Sequence, residues 1–127
     1  MDCGPTCLRM IAEYYGKRFD VTKMQGITNI KKEGSSLLQL VDAANAMGLS
    51  CEGLQMEITC LCSINLPVIL HWDQHHFVVL FKVQRNTYFI ADPSSGIFRL
   101  TQSELLSHWY VRDQDAGPTG ILLTFSM

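Results

Sequence analysis

The chain has 127 residues, a formal net charge of −2, 47% hydrophobic residues and 17% charged ones. That length sets the expectation of one domain spanning 1–127, able to bury a core without a disulfide or a structural metal, and the composition excludes a disordered tail. No basic stripe of the kind nucleic acid demands is present; the densest cationic pair, Lys31-Lys32, reads as a solvated loop, so no nucleic-acid partner is expected.

The first element reads as a helix. Asp2 suits an N-cap, and Pro5 is tolerated in the first turn, where backbone donors lack partners anyway. Cys7, Leu8, Ile11, Ala12 and Tyr15 recur near helical period, and Gly16 is a natural stop. A short second helix is expected around Thr22 to Gln25. Gly34-Ser35-Ser36 then forms a loop and N-cap for a helix carrying Leu37, Leu40, Val41, Ala44 and Met47, ended by Gly48.

The second half changes period. Pro67 to Trp72 and His76 to Val83 are short apolar runs, Gln84 to Asn86 has turn character, and Thr87 to Ala91 is β-rich. Asp92-Pro93-Ser94-Ser95-Gly96 is a turn, and Ile97 to Leu100 a strand. Thr101 to Glu104 matches a capping box that opens a short helix. Ile121 to Phe125 is a last strand after Gly117-Pro118-Thr119-Gly120. Helices first and strands after predict an α+β domain with a largely antiparallel sheet.

The five cysteines are Cys3, Cys7, Cys51, Cys60 and Cys62. An odd number without a framework disfavours a disulfide-stapled secreted module and points to a reducing, cytosolic compartment. The N-terminus lacks the basic and apolar regions of a signal peptide. The longest uncharged stretch, Ile58 to Trp72, is about 15 residues and is interrupted by Asn65 and Pro67, too short to cross a bilayer. The chain is expected to be soluble, whether whole or cut from a longer membrane protein.

Cys3 sits at the start of the first helix, where unpaired N–H groups and the helix dipole favour an anion such as a thiolate. Gly4 leaves room beside the sulfur for a substrate backbone. The alternative is an ordinary small apolar residue. Cys7, one turn on, reads as core packing. A cysteine nucleophile needs a histidine, and the histidine needs a third group to hold its tautomer. Of His71, His75, His76 and His108, His76 opens a strand, while His75 falls in the turn. Asp92 ends the next strand; a symmetric hairpin about Arg85-Asn86 makes it a neighbour of His76, able to touch it if the two share a face. Asp92 also suits the start of the Asp-Pro turn. Cys60, Cys62, His71 and His75 offer a rival zinc reading, but His-x3-His is a helical ligand spacing and this region reads as strand and turn. No metal site is expected.

Met-Asp-Cys-Gly-Pro-Thr-Cys-Leu at residues 1 to 8 resembles the nucleophile motif of the bacteriocin-processing, double-glycine leader peptidases, the N-terminal domains of peptidase-containing ABC transporters. Gly34-Ser35-Ser36, Met47-Gly48-Leu49, Leu66-Pro67-Val68-Ile69, His76-Phe77-Val78-Val79 and Ala91-Asp92-Pro93 follow in the family's order, so the resemblance covers nearly the whole chain. It implies a papain-like fold, with a helical half carrying the cysteine and an antiparallel sheet carrying histidine and aspartate. It also implies Cys3 as nucleophile, His76 as general base and then acid, and Asp92 as the group orienting the imidazole.

The implied reaction is cleavage after a Gly-Gly pair, with the leader of a precursor peptide as partner, docked as an amphipathic helix on an apolar groove. The further partners implied are the membrane and nucleotide-binding domains of an ABC exporter, at the cytoplasmic face of the bacterial cell membrane. The peptidase itself would need no cofactor; ATP and Mg²⁺ would belong to the transporter. One departure stands out. The family's glutamine about six residues before the cysteine, whose side chain completes an oxyanion hole, has no counterpart, because the sequence begins two residues before Cys3. Either the natural chain starts further upstream or the hole keeps only the Cys3 backbone N–H. The second alternative leaves a leader-binding docking domain as the rival to a peptidase.

Overall fold

The computed structural model describes residues 3–17, 36–111 and 119–126. Helix α1 spans Cys3–Tyr14 and helix α2 Leu37–Ala46, followed by strand β1 (Ser50–Glu57) and a 3₁₀ helix (Ile58–Cys62). Strands β2 (Val68–Trp72), β3 (His76–Gln84), β4 (Thr87–Asp92) and β5 (Gly96–Thr101) lead to helix α3 (Gln102–Leu106) and strand β6 (Thr119–Ser126). The expected cap at Asp2, the helix around Thr22 to Gln25, the loop at Lys31-Lys32, the Gly34-Ser35 pair and the Gly117-Pro118 pair lie outside the described residues.

The helix ends follow their local signals. Gly16 takes φ +75°, and Lys17 N–H reaches back to the Ala12 carbonyl at 2.8 Å, closing α1 in the left-handed turn that glycine permits. Ser36 caps α2 in a full capping box with Gln39, and Gly48 ends it at φ +85°. Thr101 and Glu104 form the same box on α3.

The strands form one antiparallel sheet in the order β1-β6-β2-β3-β4-β5. Two features go beyond the expectation. Ser50–Glu57 is a strand that no apolar pattern announces, since only Cys51 within it is buried. Cys60 and Cys62 lie on a 3₁₀ turn rather than on extended chain.

Both faces of the central strands are covered. Phe77 and Val79 of β3, Ile69 of β2 and Leu123 and Phe125 of β6 pack under α1 and α2, against Cys7, Leu8, Ile11, Leu40 and Ala44. Val78, Leu80, Val68, Leu70 and Trp72 point to the other face, against Ile58, Leu61, Leu105 and Trp109. Burial on both sides explains why Val68–Leu70 and Phe77–Leu80 are continuous apolar runs rather than alternating ones.

Candidate active site

Helix α1 packs on β3, and one hydrogen bond ties the two directly. The Cys7 thiol donates to the carbonyl of Phe77 at 3.4 Å, 70 residues away and fully buried. Cys3 heads the same helix one turn earlier, with 6% of its surface exposed, and Phe77 directly follows His76. Burial raises the Cys7 pKa well above the ordinary thiol range, and nearby charge on Cys3 and on Asp92 raises it further.

His76 and Asp92 are in direct contact, with Nε2 2.8 Å from Oδ1. A carboxylate oxygen only accepts, so Nε2 carries the proton and the lone pair of the neutral ring is on Nδ1. The same Asp92 oxygen accepts the backbone N–H of Ser94 at 2.8 Å, and the Asp92 carbonyl accepts the N–H of Ser95 at 3.2 Å. Asp92 thus starts the turn and holds the imidazole at once. Its burial opposes ionisation, but bonds from the His76 ring and the Ser94 N–H, the His76 charge and the Ser95 hydroxyl outweigh that, and its pKa lies below the ordinary carboxylate value.

The strand register decides this contact. Thr87 pairs with Gln84 and Phe89 with Lys82, but Ile90 pairs with Leu80, so Phe81 is an extra residue in β3. Past it, Ala91 faces Val79, and the register continued places Asp92 level with Val78. His76, two residues from Val78, projects on the side of the ribbon that Asp92 uses. In an unbulged hairpin the two side chains would point to opposite faces. The sequence carries no separate signal for this bulge; Phe81 sits in an apolar run where any residue could be the extra one.

The other candidates fall elsewhere. His71 is on β2 with its ring 5.4 Å from that of Phe77, and burial lowers its pKa, so it is a neutral packing residue. His75 lies in the β2–β3 turn, where Nδ1–H donates to the Asp73 carbonyl at 2.6 Å. Cys62 bonds to the Thr59 carbonyl. Among the described residues no three His, Cys, Asp or Glu side chains gather as a metal site, and the four residues of the zinc reading are not brought together. A hollow at the β1–β6 edge, lined by Ser50, Glu52, Asn65, Thr124 and Ser126, has no cysteine or histidine in its wall. The groups with hydrogen-bonded chemistry, His76 and Asp92, and the head of α1 lie outside that hollow.

The model of the Peptidase C39 family matches residues 1–112. Among curated relatives, a colicin V secretion/processing ATP-binding protein of Escherichia coli is 36% identical over 104 residues, covering 82% of this chain and 15% of its own length. A pediocin PA-1 transport/processing ATP-binding protein of Pediococcus acidilactici is 28% identical over 116 residues, covering 85% of this chain and 16% of its own. The chain thus spans less than a fifth of either relative. Among solved structures, a double glycine motif protease from an AMS/PCAT transporter, in complex with the leader peptide, superposes with a TM-score of 0.84 at 28% identity, over 98% of this chain and 83% of that one. The peptidase domain of Streptococcus ComA, a bi-functional ABC transporter, has the same fold, with a TM-score of 0.84 at 23% identity over 98% and 90% of the two chains.

Proposed function

The chain belongs to the Peptidase C39 family of cysteine peptidases, and from that premise we propose that it removes the leader of a secreted precursor peptide by cutting after a Gly-Gly pair, with Cys3, His76 and Asp92 as the catalytic groups. The observation that carries this reading is the 2.8 Å contact of His76 Nε2 with Asp92, with Cys3 at the head of the helix whose Cys7 bonds to Phe77, the residue after His76. It leaves Nδ1 as the basic atom for the Cys3 thiol.

Proton transfer from Cys3 to Nδ1 gives a thiolate and an imidazolium stabilised by the Asp92 carboxylate. The thiolate attacks the carbonyl carbon of the second glycine. As the C–N bond breaks, Nδ1–H protonates the leaving amine, and a thioester remains on Cys3. Water then attacks the thioester while giving its proton to Nδ1, which returns it to the departing sulfur. The backbone N–H groups at the head of α1 have no intrahelical acceptors and suit the developing oxyanion. A glycine pair at the cut fits a cleft that rejects side chains sterically.

The leader needs an apolar seat next to this site. The uncovered end of the sheet beyond α1 supplies one. Ile97 is 75% exposed and pairs with Ala91, the neighbour of Asp92; Phe81 is 37% exposed and its ring is 6.1 Å from that of Phe89. The complex of a related protease with a leader peptide supports a leader as the occupant, and an apolar seat suits an amphipathic helix. That the curated relatives are secretion or transport/processing ATP-binding proteins supports an ATP-driven exporter as the context; the reading places the peptidase at the cytoplasmic face of its membrane, with ATP and Mg²⁺ serving the exporter's own nucleotide-binding part. Among the described residues no helix is long and apolar enough to cross a membrane.

The test is cleavage of a synthetic double-glycine leader peptide by this chain, by its Cys3→Ala variant and by a version extended upstream in the genomic reading frame. Cleavage that vanishes in Cys3→Ala supports the reading. Leader binding without cleavage by any version replaces it with a docking domain.

A further inference from the structure

We infer that His108 and Asp73 form a clasp that positions His76 for the reaction, an inference that rests on the peptidase reading for its kinetic consequences and on geometry for the rest. His76 is the first residue of β3, and the residues before it form a tight turn closed by the Trp72–His76 pair. Asp73 and Gln74 in that turn take φ +51° and +68°. Side chains other than glycine's adopt this left-handed region at a cost, Gln74 more than Asp73, and contacts from outside the turn offset it.

The holding arm is the segment after α3. The Asp73 N–H donates to the His108 carbonyl at 2.8 Å, and His108 Nδ1–H donates to Asp73 Oδ1 at 2.8 Å. Gln74 Nε2 donates to the Tyr110 carbonyl at 2.7 Å. The His108 ring stacks on Trp72, with centroids 4.9 Å apart and planes at 8°. The arm is itself anchored: Trp109 is fully buried and its Nε1–H donates to the Ile121 carbonyl at 2.8 Å. Backbone, side chain and ring thus all tie the turn to a fixed point in the core.

The His108 and Asp73 side chains are 43% and 44% exposed. A polar pair so exposed adds little to global stability. Its effect is local, on the turn and on the residue that leaves it. A shift of His76 by about 1 Å would break its bond to Asp92, and a displacement of that size costs about 100-fold in rate.

The experiment compares the whole chain with His108→Ala and His108→Asn, because an asparagine amide can still donate to Asp73 where Nδ1 did. Leader cleavage gives kcat and KM, and proton NMR follows the Nε2–H resonance of His76. The expected result for His108→Ala is a kcat lower by about 10- to 100-fold, KM within about twofold, and a His76 resonance lost or displaced. His108→Asn should recover most of both. If His108→Ala does not fold, His108→Phe, which keeps a ring on Trp72 and removes only the side-chain bond to Asp73, carries the same comparison. Wild-type kcat with an unchanged His76 resonance overturns the clasp, and so does a lowered kcat with that resonance unchanged. A wild-type chain that binds leader without cutting it ends the peptidase reading; the His76 resonance then decides the clasp by itself.

Discussion

His76 and Asp92 meet at 2.8 Å across a β3–β4 hairpin whose register changes by one residue between Leu80 and Lys82. Since side chains alternate faces along a strand, a one-residue change reverses every side chain beyond it relative to the partner strand. The number of residues in β3, more than the identity of the extra one, sets this contact.

Deleting Phe81 should therefore abolish leader cleavage, since it sends His76 and Asp92 to opposite faces and misplaces the buried Phe77 and Val79 as well. Phe81→Ala keeps the count and should keep kcat within about threefold, because a bulge tolerates varied residues. Steady-state cleavage, with circular dichroism to follow folding, distinguishes them. A deletion variant that still cuts would show that the bulge is irrelevant to the site.

Asp92→Ala should lower kcat by about 100-fold or more, the scale of losing general acid–base action. Asp92→Asn should fall between that and wild type, since its amide oxygen still accepts from Nε2. The folded pKa of Asp92 is depressed, so its charge contributes stability that is fully present above the unfolded value of about 3.9. That contribution fades as pH falls through the folded value. Urea unfolding at pH 7, 5 and 3 should show wild type and Asp92→Asn converging only in acid; an equal gap at all three pH values contradicts the assignment.

The thiols should separate by reactivity. Burial, with the Glu52 charge, pushes Cys51 up to about 12, and burial holds Cys7 well above the ordinary range. Neither should alkylate in the folded chain at pH 8, where thiolate makes up about 10⁻⁴ of Cys51. Cys60 and Cys62 are exposed and should react. Loss of cleavage should track labelling of Cys3 alone, read peptide by peptide by mass spectrometry. Inactivation that tracks Cys60 or Cys62 would count against Cys3 as nucleophile.

Ile97→Asp should raise KM for a full leader by at least about tenfold, the scale of one aliphatic side chain losing its burial, with kcat and stability nearly unchanged because the residue is 75% exposed. A short peptide carrying only the residues around Gly-Gly should not sense the change. An unaltered KM for the full leader would place its seat elsewhere.

Gly120→Ala should cost about 3 kcal/mol or more by overpacking. A Cβ at Gly120 would overlap the ring of the fully buried Trp109. Thermal unfolding measures this, and an unchanged midpoint would mean that the indole can move aside.

Much of this protein is determined locally. Gly16 and Gly48 stop their helices because only glycine adopts those positive φ values without strain, and Ser36 and Thr101 start theirs by satisfying free N–H groups. Arg85 and Asn86, at φ +52° and +62°, turn the β3–β4 hairpin where the residue pattern changes. Such signals act over three or four residues and are legible in the chain itself.

Tertiary structure decided the rest. Ser50–Glu57 has no apolar alternation, because it is an edge strand whose pairing comes from β6, about 70 residues on. The placement of β6 between β1 and β2 leaves no local trace. Whether His76 and Asp92 share a face depended on one unpaired residue in β3, and the helix that Cys3 heads is tied to β3 by a thiol–carbonyl bond from Cys7 to Phe77. Sequence specified which groups the site could use, since their chemistry belongs to single side chains. Their meeting required contacts between distant segments, and only the folded packing fixes the register of those.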